Sequence, residues 1–426
     1  KKYKATIMRF ISKEKIKDFG IYGLGQAINI ISPLLVIPYI VMICGESGLG
    51  KIGVGFSFAL IAIVLVDYSS YINGTKQVSI CSKNKQILEH HFLTIYTAKS
   101  LLLLLVLLIC TLLIFLIPFF EKDKLQIFLS LLIVIGQFIN PTWFFQGIQS
   151  FKWISIINVS SKIIYVTLVF LFIKQPEDYI LVNAFIGLGS IIASLCGFIW
   201  IYRRNNFSFK NASIANAVSL IKEDFSLTVS QLFFSFYQYL PIIIISFVCG
   251  DFIAGQYRII DQVIMIFRTY LQMFFNFIYA EICLKIYEDV NKGFLKWKLV
   301  NGINYLFILL LVTLFFFNSE IILSFFKVSV SDISVLSKYF KIGLLIPVFM
   351  GISFALKQLI FSFNKNKIYI IITIISTIIN VIIMYFFLKN IGLKGAFLST
   401  IFVELLIIVS YALVLRGTIK TNIKNA

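Results

Sequence analysis

The sequence predicts an all-α integral membrane protein with about twelve transmembrane helices in two six-helix lobes. Three observations indicate this fold class. Of the 426 residues, 59% are hydrophobic and 13% are charged, whereas soluble domains are near half apolar and a quarter charged. The apolar residues are gathered in runs of roughly 20, the length that a spanning helix needs. Two stretches of the chain also resemble each other at a nearly constant offset.

The apolar runs are separated by short connections that leave no room for a soluble domain. Their positions define twelve predicted spans, at about 18–43, 50–73, 92–117, 125–147, 154–174, 179–202, 223–249, 252–278, 298–318, 336–361, 367–390 and 395–416.

Lys and Arg residues are unevenly distributed between alternate connections. The set that includes the amino-terminal segment holds 24 of the 38, and the other set holds 8. Because cytosolic loops carry the excess of Lys and Arg, we expect both termini in the cytosol of a multi-pass protein of the bacterial inner membrane. The net charge of +19 follows these loops and forms no single basic face, so no nucleic-acid partner is predicted.

The internal similarity divides the chain into two halves. The sequence Cys-Gly-Glu-Ser-Gly-Leu-Gly at 44–50 recurs as Cys-Gly-Asp-Phe-Ile-Ala-Gly at 249–255, and residues 183–185 resemble residues 395–397. Halves with six spans each would have the same orientation, like the parallel repeats of some transporters. The predicted parts are an N-lobe at residues 1–203, a cytosolic linker at 204–222 and a C-lobe at 223–426.

Nine ionisable residues fall inside the predicted spans, where each costs at least about 2.5 kcal/mol at the bilayer centre and indicates a pathway or a partner. They are the cations Lys99, Lys162, Arg258, Arg268, Lys341 and Lys357 and the acids Asp67, Asp261 and Glu404. The excess of cations favours an anionic cargo, since arginine binds phosphate oxygens through its planar fork. Alternatively, Lys341 and Lys357 can reach the interface, and Arg258 can pair with Asp261 three residues later.

The first span of each half carries polar residues on one helical face. Gln26 and Asn29 lie three residues apart in span 1, and Gln231 and Gln238 lie seven apart in span 7. Such a face lines water or cargo, or bonds to a neighbouring helix. Its presence in both halves favours the lumen.

Signatures of soluble enzymes are absent from the sequence. We find no phosphate-binding loop, dinucleotide fingerprint, zinc-protease motif or nucleophile elbow. The six cysteines are scattered, and the only histidines, His90 and His91, have no cluster of further ligands near them in the sequence. We therefore predict a transporter without enzymatic activity, metal or cofactor, apart from a possible coupling ion.

A run at the end of span 4 resembles a known family. It comprises Pro141, Thr142, Trp143, Phe144, Phe145, Gln146 and Gly147, followed by Asn158 and Lys162. This run resembles the signature of Wzx-type polysaccharide flippases, which belong to the multidrug/oligosaccharidyl-lipid/polysaccharide exporter (MOP) superfamily. The family typically has an acidic residue where this chain has Gln149. An aromatic belt at the membrane interface is the alternative explanation of the three aromatic residues.

The resemblance implies a MATE-like fold in which spans 1, 2, 7 and 8 face a central cavity. Its implied partners are membrane lipid, other glycan-assembly membrane proteins and the cargo, an undecaprenyl-diphosphate-linked oligosaccharide that is moved to the outer leaflet. The expected cargo contacts are Arg258 and Arg268 for the diphosphate, Lys99 and Lys162 near the cytosolic entrance, and Gln26, Asn29, Gln231 and Gln238 along the lumen. Asp67, Asp261 and Glu404 are candidates for H⁺ or Na⁺ coupling, or counter-ions.

Two other interpretations remain open at this point. A cation-coupled exporter of drugs or metabolites could use the same fold, with its coupling carboxylates deep in one lobe. A membrane-bound glycan polymerase or ligase would need a large outer loop, and the predicted connections are all short.

Overall fold

The structure is a computed structural model that describes residues 13–68, 70–81, 84–208 and 212–424. Within these ranges, side chains are not described for residues 13–24, 26, 280 and 418–424. The described part of the chain is built from helices and contains no strand. The predicted all-α fold class is therefore confirmed.

Fifteen α-helices are described along the chain. The first eight are α1 (Lys13–Asp67), α2 (Thr75–Cys81), α3 (Lys85–Leu116), α4 (Lys124–Ile139), α5 (Thr142–Gly147), α6 (Phe151–Phe172), α7 (Tyr179–Asn205) and α8 (Ile214–Cys249). The others are α9 (Asp251–Glu288), α10 (Val290–Phe317), α11 (Ser319–Phe325), α12 (Val330–Gly343), α13 (Leu345–Ser362), α14 (Asn366–Ile391) and α15 (Leu393–Lys424). A π-helical turn at Ser70–Gly74 and 3₁₀ turns at Pro118–Asp123 and Pro176–Asp178 connect some of them.

Ten helical segments among the described residues are long and apolar enough to cross a membrane, and the bent α9 makes eleven. The 55-residue α1 is interrupted at Gly45 and covers predicted span 18–43 and most of span 50–73. At about 1.5 Å per residue its two segments together measure about 80 Å, more than twice the hydrocarbon thickness of about 30 Å. The chain is thus a multi-pass membrane protein, and the count of twelve spans stays a prediction.

The repeated glycine motif forms the same backbone turn in both copies. Gly45 interrupts α1 with φ 70° and ψ 177°, and Gly250 separates α8 from α9 with φ 86° and ψ 168°. A Cβ atom on either glycine would meet nothing within 4 Å, so the backbone conformation and not the available space requires glycine. The similarity at residues 44–50 and 249–255 therefore specifies two equivalent helix–glycine–helix turns.

Two of the predicted spans are broken close to a proline in the described residues. Span 125–147 divides between α4 and α5, because Pro141 has no N–H to continue the helix. The Oδ1 atom of Asn140 accepts a hydrogen bond at 3.0 Å from the N–H of Thr142, the first residue of α5. Span 336–361 divides at Leu344, three residues before Pro347, which cannot bond to the carbonyl of Gly343.

The chain forms two compact units. Unit 1 contains the described residues within Lys1–Cys44 and Val54–Ser235, and unit 2 contains Gly45–Gly53 and the described residues within Phe236–Ala426. The division falls inside α8, whereas the sequence interpretation ends the N-lobe at residue 203. The predicted lobe boundaries stay a prediction, and each unit is described by itself.

Candidate functional sites in the two units

Unit 1 contains a buried ion pair between two of the predicted site residues. The Nζ atom of Lys99 on α3 lies 3.0 Å from Oδ1 of Asp67, at the end of α1, and it also donates to the carbonyl of Gln137 at 3.4 Å. Lys99 is 1% exposed and Asp67 is 20% exposed. The positive charge of Lys99 is therefore balanced inside the unit.

The chain leaves α1 through an irregular segment that binds the start of α8. Tyr68 adopts φ 41°, an uncommon conformation for a non-glycine residue, and the π turn follows. The Tyr68 hydroxyl donates to the carbonyl of Ile221 at 2.7 Å, and the Asn73 amide donates to Oδ1 of Asp224. These bonds join positions about 150 residues apart in the sequence, so no local pattern predicts them.

A cavity of about 260 Å³ lies beside the ion pair. Its lining has mixed charge, with Asp67, Glu223 and Asp224 opposed by Lys76 and Lys99. The lining also includes neutral or titratable polar groups, from Asn73, Gln77, His91 and Thr94. The sequence interpretation named Asp67 and Lys99 but missed the rest of this lining, because the cavity joins segments that are distant in the sequence.

The aromatic residues of the signature lie in the core of unit 1. Trp143, Phe144 and Phe145 on α5 are 2%, 1% and 0% exposed. The ring of Phe92 lies 5.5 Å from that of Phe144, and the ring of Trp153 stacks 5.6 Å from that of Phe145. The aromatic-belt explanation is therefore wrong for these side chains.

The glycine of the signature allows a close contact with α2. A Cβ atom on Gly147 would lie 2.5 Å from Cγ1 of Val78 and 3.0 Å from the carbonyl oxygen of Thr75. The Thr75 hydroxyl in turn donates to the carbonyl of Trp143 at 3.1 Å. Gln146 is partly buried, Pro141 is buried, and Gln149 is exposed with φ 57°. The signature thus packs the core of unit 1 and positions α2.

The remaining predicted residues of unit 1 are dispersed. Lys162 on α6 lies 6.0 Å from the centre of the Tyr165 ring. Asn29, Asn158 and Gln231 are partly buried. The side chain of Gln26 lies outside the described residues.

Unit 2 contains a buried carboxylate that bridges three helices. Glu404 on α15 is 3% exposed. Its Oε1 accepts from the Tyr237 hydroxyl on α8 at 2.7 Å, and its Oε2 accepts from the Ser353 hydroxyl on α13 at 2.9 Å. Among the described residues, Arg268 and Lys357 are cations close to this carboxylate. The sequence interpretation named Glu404 and Arg268 but not their hydroxyl partners.

Lys357 lies among aromatic rings. Its Nζ is 5.1 to 5.7 Å from the ring centres of Phe275, Phe354, Phe361 and Tyr369. Cations are attracted to such ring faces within about 6 Å. The rings, together with Glu404, account for a lysine at this position.

The two arginines of α9 have different surroundings. Arg258 lies 3.4 Å from Asp261, as the three-residue spacing predicts. The guanidinium of Arg268 donates to the thioether sulfur of Met265 at 2.8 Å, a weak acceptor. Gln238 on α8 is partly buried. That these groups and the lysines of unit 1 line one lumen stays a prediction.

Solved structures with a similar fold identify the architecture. An inward-facing multidrug-resistance MATE family transporter of the MOP superfamily matches with a TM-score of 0.68 at 12% identity, covering 94% of this chain and 99% of that one. The lipid II flippase MurJ in an inward closed conformation matches with a TM-score of 0.68 at 15% identity, covering 93% and 87%. The fold is therefore that of the MOP-superfamily transporters.

Sequence comparison gives the family. A family model described as "Polysaccharide biosynthesis protein" matches residues 16–280, more than half of the chain, and the chain belongs to that family. A "Putative O-antigen transporter" of Escherichia coli (strain K12) is 22% identical over 273 residues, which span 64% of this chain and 66% of that protein. A "Putative O-antigen transporter" of Shigella dysenteriae is 22% identical over 404 residues, which span 92% of this chain and 98% of that protein. The predicted relationship to polysaccharide-biosynthesis membrane proteins is confirmed.

Proposed function

We propose that the protein is a flippase that moves undecaprenyl-diphosphate-linked oligosaccharide repeat units from the cytosolic to the outer leaflet of the bacterial inner membrane by alternating access. Membership of the polysaccharide biosynthesis family supports a glycan cargo. The name of the relatives in Escherichia coli and Shigella dysenteriae supports transport of O-antigen units in particular. Both termini would lie in the cytosol, and the polyprenyl chain would stay in lipid.

The surroundings of Arg268 are the observation that carries the proposal. This partly buried arginine sits on a membrane-embedded helix, and its acceptor is the Met265 sulfur. A guanidinium has five N–H donors in a planar fork that matches phosphate oxygens. Arg268 can therefore exchange a weak partner for a diphosphate, whereas Arg258 is already engaged with Asp261.

The buried carboxylates would couple transport to an ion gradient. Glu404 lies in the same unit as Arg268 and near it, so a cargo phosphate on Arg268 would add negative charge close to this carboxylate. We propose H⁺ or Na⁺ as the coupled ion, with Glu404 as the first candidate and Asp67 and Asp261 as counter-ions of Lys99 and Arg258.

Complementation of a strain that lacks the gene tests the role of Arg268. Arg268→Ala at normal membrane abundance should abolish surface glycan. Arg268→Lys should restore it in part, because charge remains but the planar fork is lost. Arg203→Ala is the matched control, since Arg203 is exposed at the end of α7. Normal glycan from Arg268→Ala would refute the diphosphate assignment, and a change in drug resistance without a glycan defect would favour the exporter alternative.

A further inference from the structure

The cavity of unit 1 lies where three membrane-crossing helices begin or end. Its lining comes from the end of α1 and the beginnings of α3 and α8, together with the π turn and α2. All of these residues belong to unit 1. Since α3 and α8 have 32 and 36 residues, and about 20 cross the hydrocarbon core, their first turns can extend to the depth of the lipid headgroups.

Two residues of opposite charge line this cavity without an ion-pair partner in the described part of the chain. Asp224 on α8 is 6% exposed, and its Oδ1 accepts a hydrogen bond from the neutral amide of Asn73. Lys76 on α2 is exposed. The Lys99 ammonium, by contrast, is paired with Asp67. A buried carboxylate without a cation is unfavourable, and a ligand that brings an ammonium group would remove this cost.

A buried hydroxyl on the cavity wall is also available to a ligand. Thr94 on α3 is 8% exposed, and its hydroxyl has no hydrogen-bond partner among the described residues. Helical hydroxyls often donate to the carbonyl four residues earlier, as Ser130 does to Gln126. His91 lines the cavity from the same face of α3, three residues before Thr94. Uncharged donors therefore lie beside the two unpaired charges.

Exposed apolar side chains adjoin the polar lining. Ile72 precedes Asn73 in the π turn and is 47% exposed, and Phe225 follows Asp224 on α8 and is 62% exposed. A ligand whose charged part occupies the cavity can therefore continue over apolar surface. This combination fits an amphipathic molecule better than a small soluble one.

We propose that the cavity binds the headgroup of a phospholipid that carries a primary ammonium group, phosphatidylethanolamine. The ammonium donates to Asp224, the phosphate accepts from Lys76 and Thr94, and the acyl chains lie over Ile72 and Phe225. Pockets at the ends of spanning helices are established places for lipid headgroups. The proposal requires that unit 1 is embedded in a membrane but requires no particular cargo, so it stands or falls independently of the proposed function.

The lining discriminates against two other common headgroups. Choline has no N–H to donate to Asp224, and quaternary ammonium groups are bound by aromatic cages, whereas the aromatic rings of this lining are those of Tyr68 and His91. The uncharged glycerol headgroup leaves its phosphate without a cation to offset it, so Asp224 and Glu223 would repel this lipid. We therefore expect a preference for ethanolamine over choline and over glycerol.

Native mass spectrometry of the purified protein measures this preference. Phosphatidylethanolamine, phosphatidylcholine and phosphatidylglycerol with identical acyl chains are added in turn, and the bound lipid is counted. Phosphatidylethanolamine should bind about tenfold more tightly than phosphatidylcholine, as expected for a hydrogen bond between charged groups. Phosphatidylglycerol should bind most weakly.

Three substitutions locate the lipid in the cavity. Asp224→Asn should remove most of the preference and keep the fold, because its Oδ1 can still accept from Asn73. Thr94→Val should weaken phosphatidylethanolamine binding about fivefold without lowering the melting temperature in lipid-free detergent, because its hydroxyl has no partner among the described residues. Lys76→Gln should weaken phosphatidylethanolamine and phosphatidylcholine alike, since both carry the phosphate. Glu320→Gln is the matched control, because Glu320 is exposed on α11 in unit 2.

The proposal is open to direct refutation. Equal affinity of the wild type for phosphatidylethanolamine and phosphatidylcholine would exclude recognition of the primary ammonium. An unchanged preference in Asp224→Asn, or an equal loss in Glu320→Gln, would place the lipid elsewhere. Displacement of the bound lipid by soluble O-phosphoethanolamine at equal concentration would exclude a lipid as the occupant, because the acyl chains would then contribute nothing.

Discussion

The ammonium group of Lys99 lies 3.0 Å from the carboxylate of Asp67, and the lysine is 1% exposed. The two residues come from α3 and the end of α1, 32 positions apart. Breaking a buried pair leaves one charge without compensation, while replacing both partners with apolar residues is often neutral. This asymmetry gives the pair a clear experimental signature.

We predict that Lys99→Met and Asp67→Leu each destabilise the protein by about 3–5 kcal/mol, the usual effect of leaving one buried charge uncompensated. The loss should be smaller for Lys99→Met, because Asp67 is 20% exposed and water can reach it. The combined variant should recover most of the stability. Thermal unfolding in detergent measures the stability of the two single variants and the combined variant.

Transport by the combined variant separates structure from mechanism. If the pair only holds α1 and α3 together, the stable combined variant transports normally. A stable but inactive combined variant would instead give the charges a part in transport. Equal destabilisation by the single and combined variants would show that the pair does not act as a unit.

Glu404→Gln should destabilise the protein less than Glu404→Ala. Glu404→Ala leaves the buried hydroxyls of Tyr237 and Ser353 without their acceptor, at about 1–3 kcal/mol for each unsatisfied group. Glu404→Gln keeps one acceptor oxygen, so we expect a smaller fall in melting temperature. It removes the charge, and loss of transport by a well-folded Glu404→Gln would support ion coupling. Normal ion-dependent transport by this variant would contradict that role.

The signature glycine should be sensitive to a single methyl group. The Cβ atom of Gly147→Ala would lie 2.5 Å from Val78, and overpacking of this kind typically costs about 1–3 kcal/mol. We expect a lower melting temperature and displacement of α2, measured as faster proteolysis near residues 75–81. Gly302→Ala should leave both unchanged, since a Cβ there meets nothing within 4 Å, and an equal effect of the two substitutions would refute the packing argument.

The first turn of α10 should weaken in acid. The side chain of Asp289 accepts from the backbone N–H groups of Asn291 and Lys292. The Lys292 N–H is the main reason that the pKa of Asp289 lies below its ordinary value of 3.8. A carboxyl group whose pKa is lower in the folded state than in the unfolded state stabilises the fold at pH values above its unfolded-state pKa. This stabilisation is lost as the pH falls through the folded-state pKa.

The melting temperatures of the wild type and Asp289→Ala, compared across a range of pH, test whether Asp289 caps α10. The wild type should melt at a higher temperature than Asp289→Ala at neutral pH, and the difference should shrink below about pH 4. Hydrogen exchange at residues 291–293 gives the local readout. A difference in melting temperature that stays constant down to pH 3 would contradict a role for the ionised carboxylate.

The sequence predicted the features that depend on local pattern. Apolar runs of the right length identified the membrane helices. The recurrence of residues 44–50 as 249–255 indicated an internal repeat, and the structure shows that the glycines at 45 and 250 share one backbone conformation. The spacing of Arg258 and Asp261 predicted their contact. Each of these needs only neighbouring residues or a fixed periodicity.

Contacts between distant segments could not be predicted in the same way. The bond of Asn73 to Asp224 and the partners of Glu404 depend on how helices pack, which a single sequence does not encode locally. The signature aromatics were open to two explanations because a belt and a core use the same residue types. Only the burial of Trp143 against Phe92 decides between them.

Analysis of lipid-linked glycan in a host that lacks this gene and has no second flippase tests the central claim most directly. The proposed function predicts loss of surface polysaccharide together with accumulation of single diphosphate-linked repeat units on the cytosolic leaflet, both reversed by the wild-type gene and not by Arg268→Ala. Full-length surface glycan without accumulation of the lipid-linked unit would contradict it.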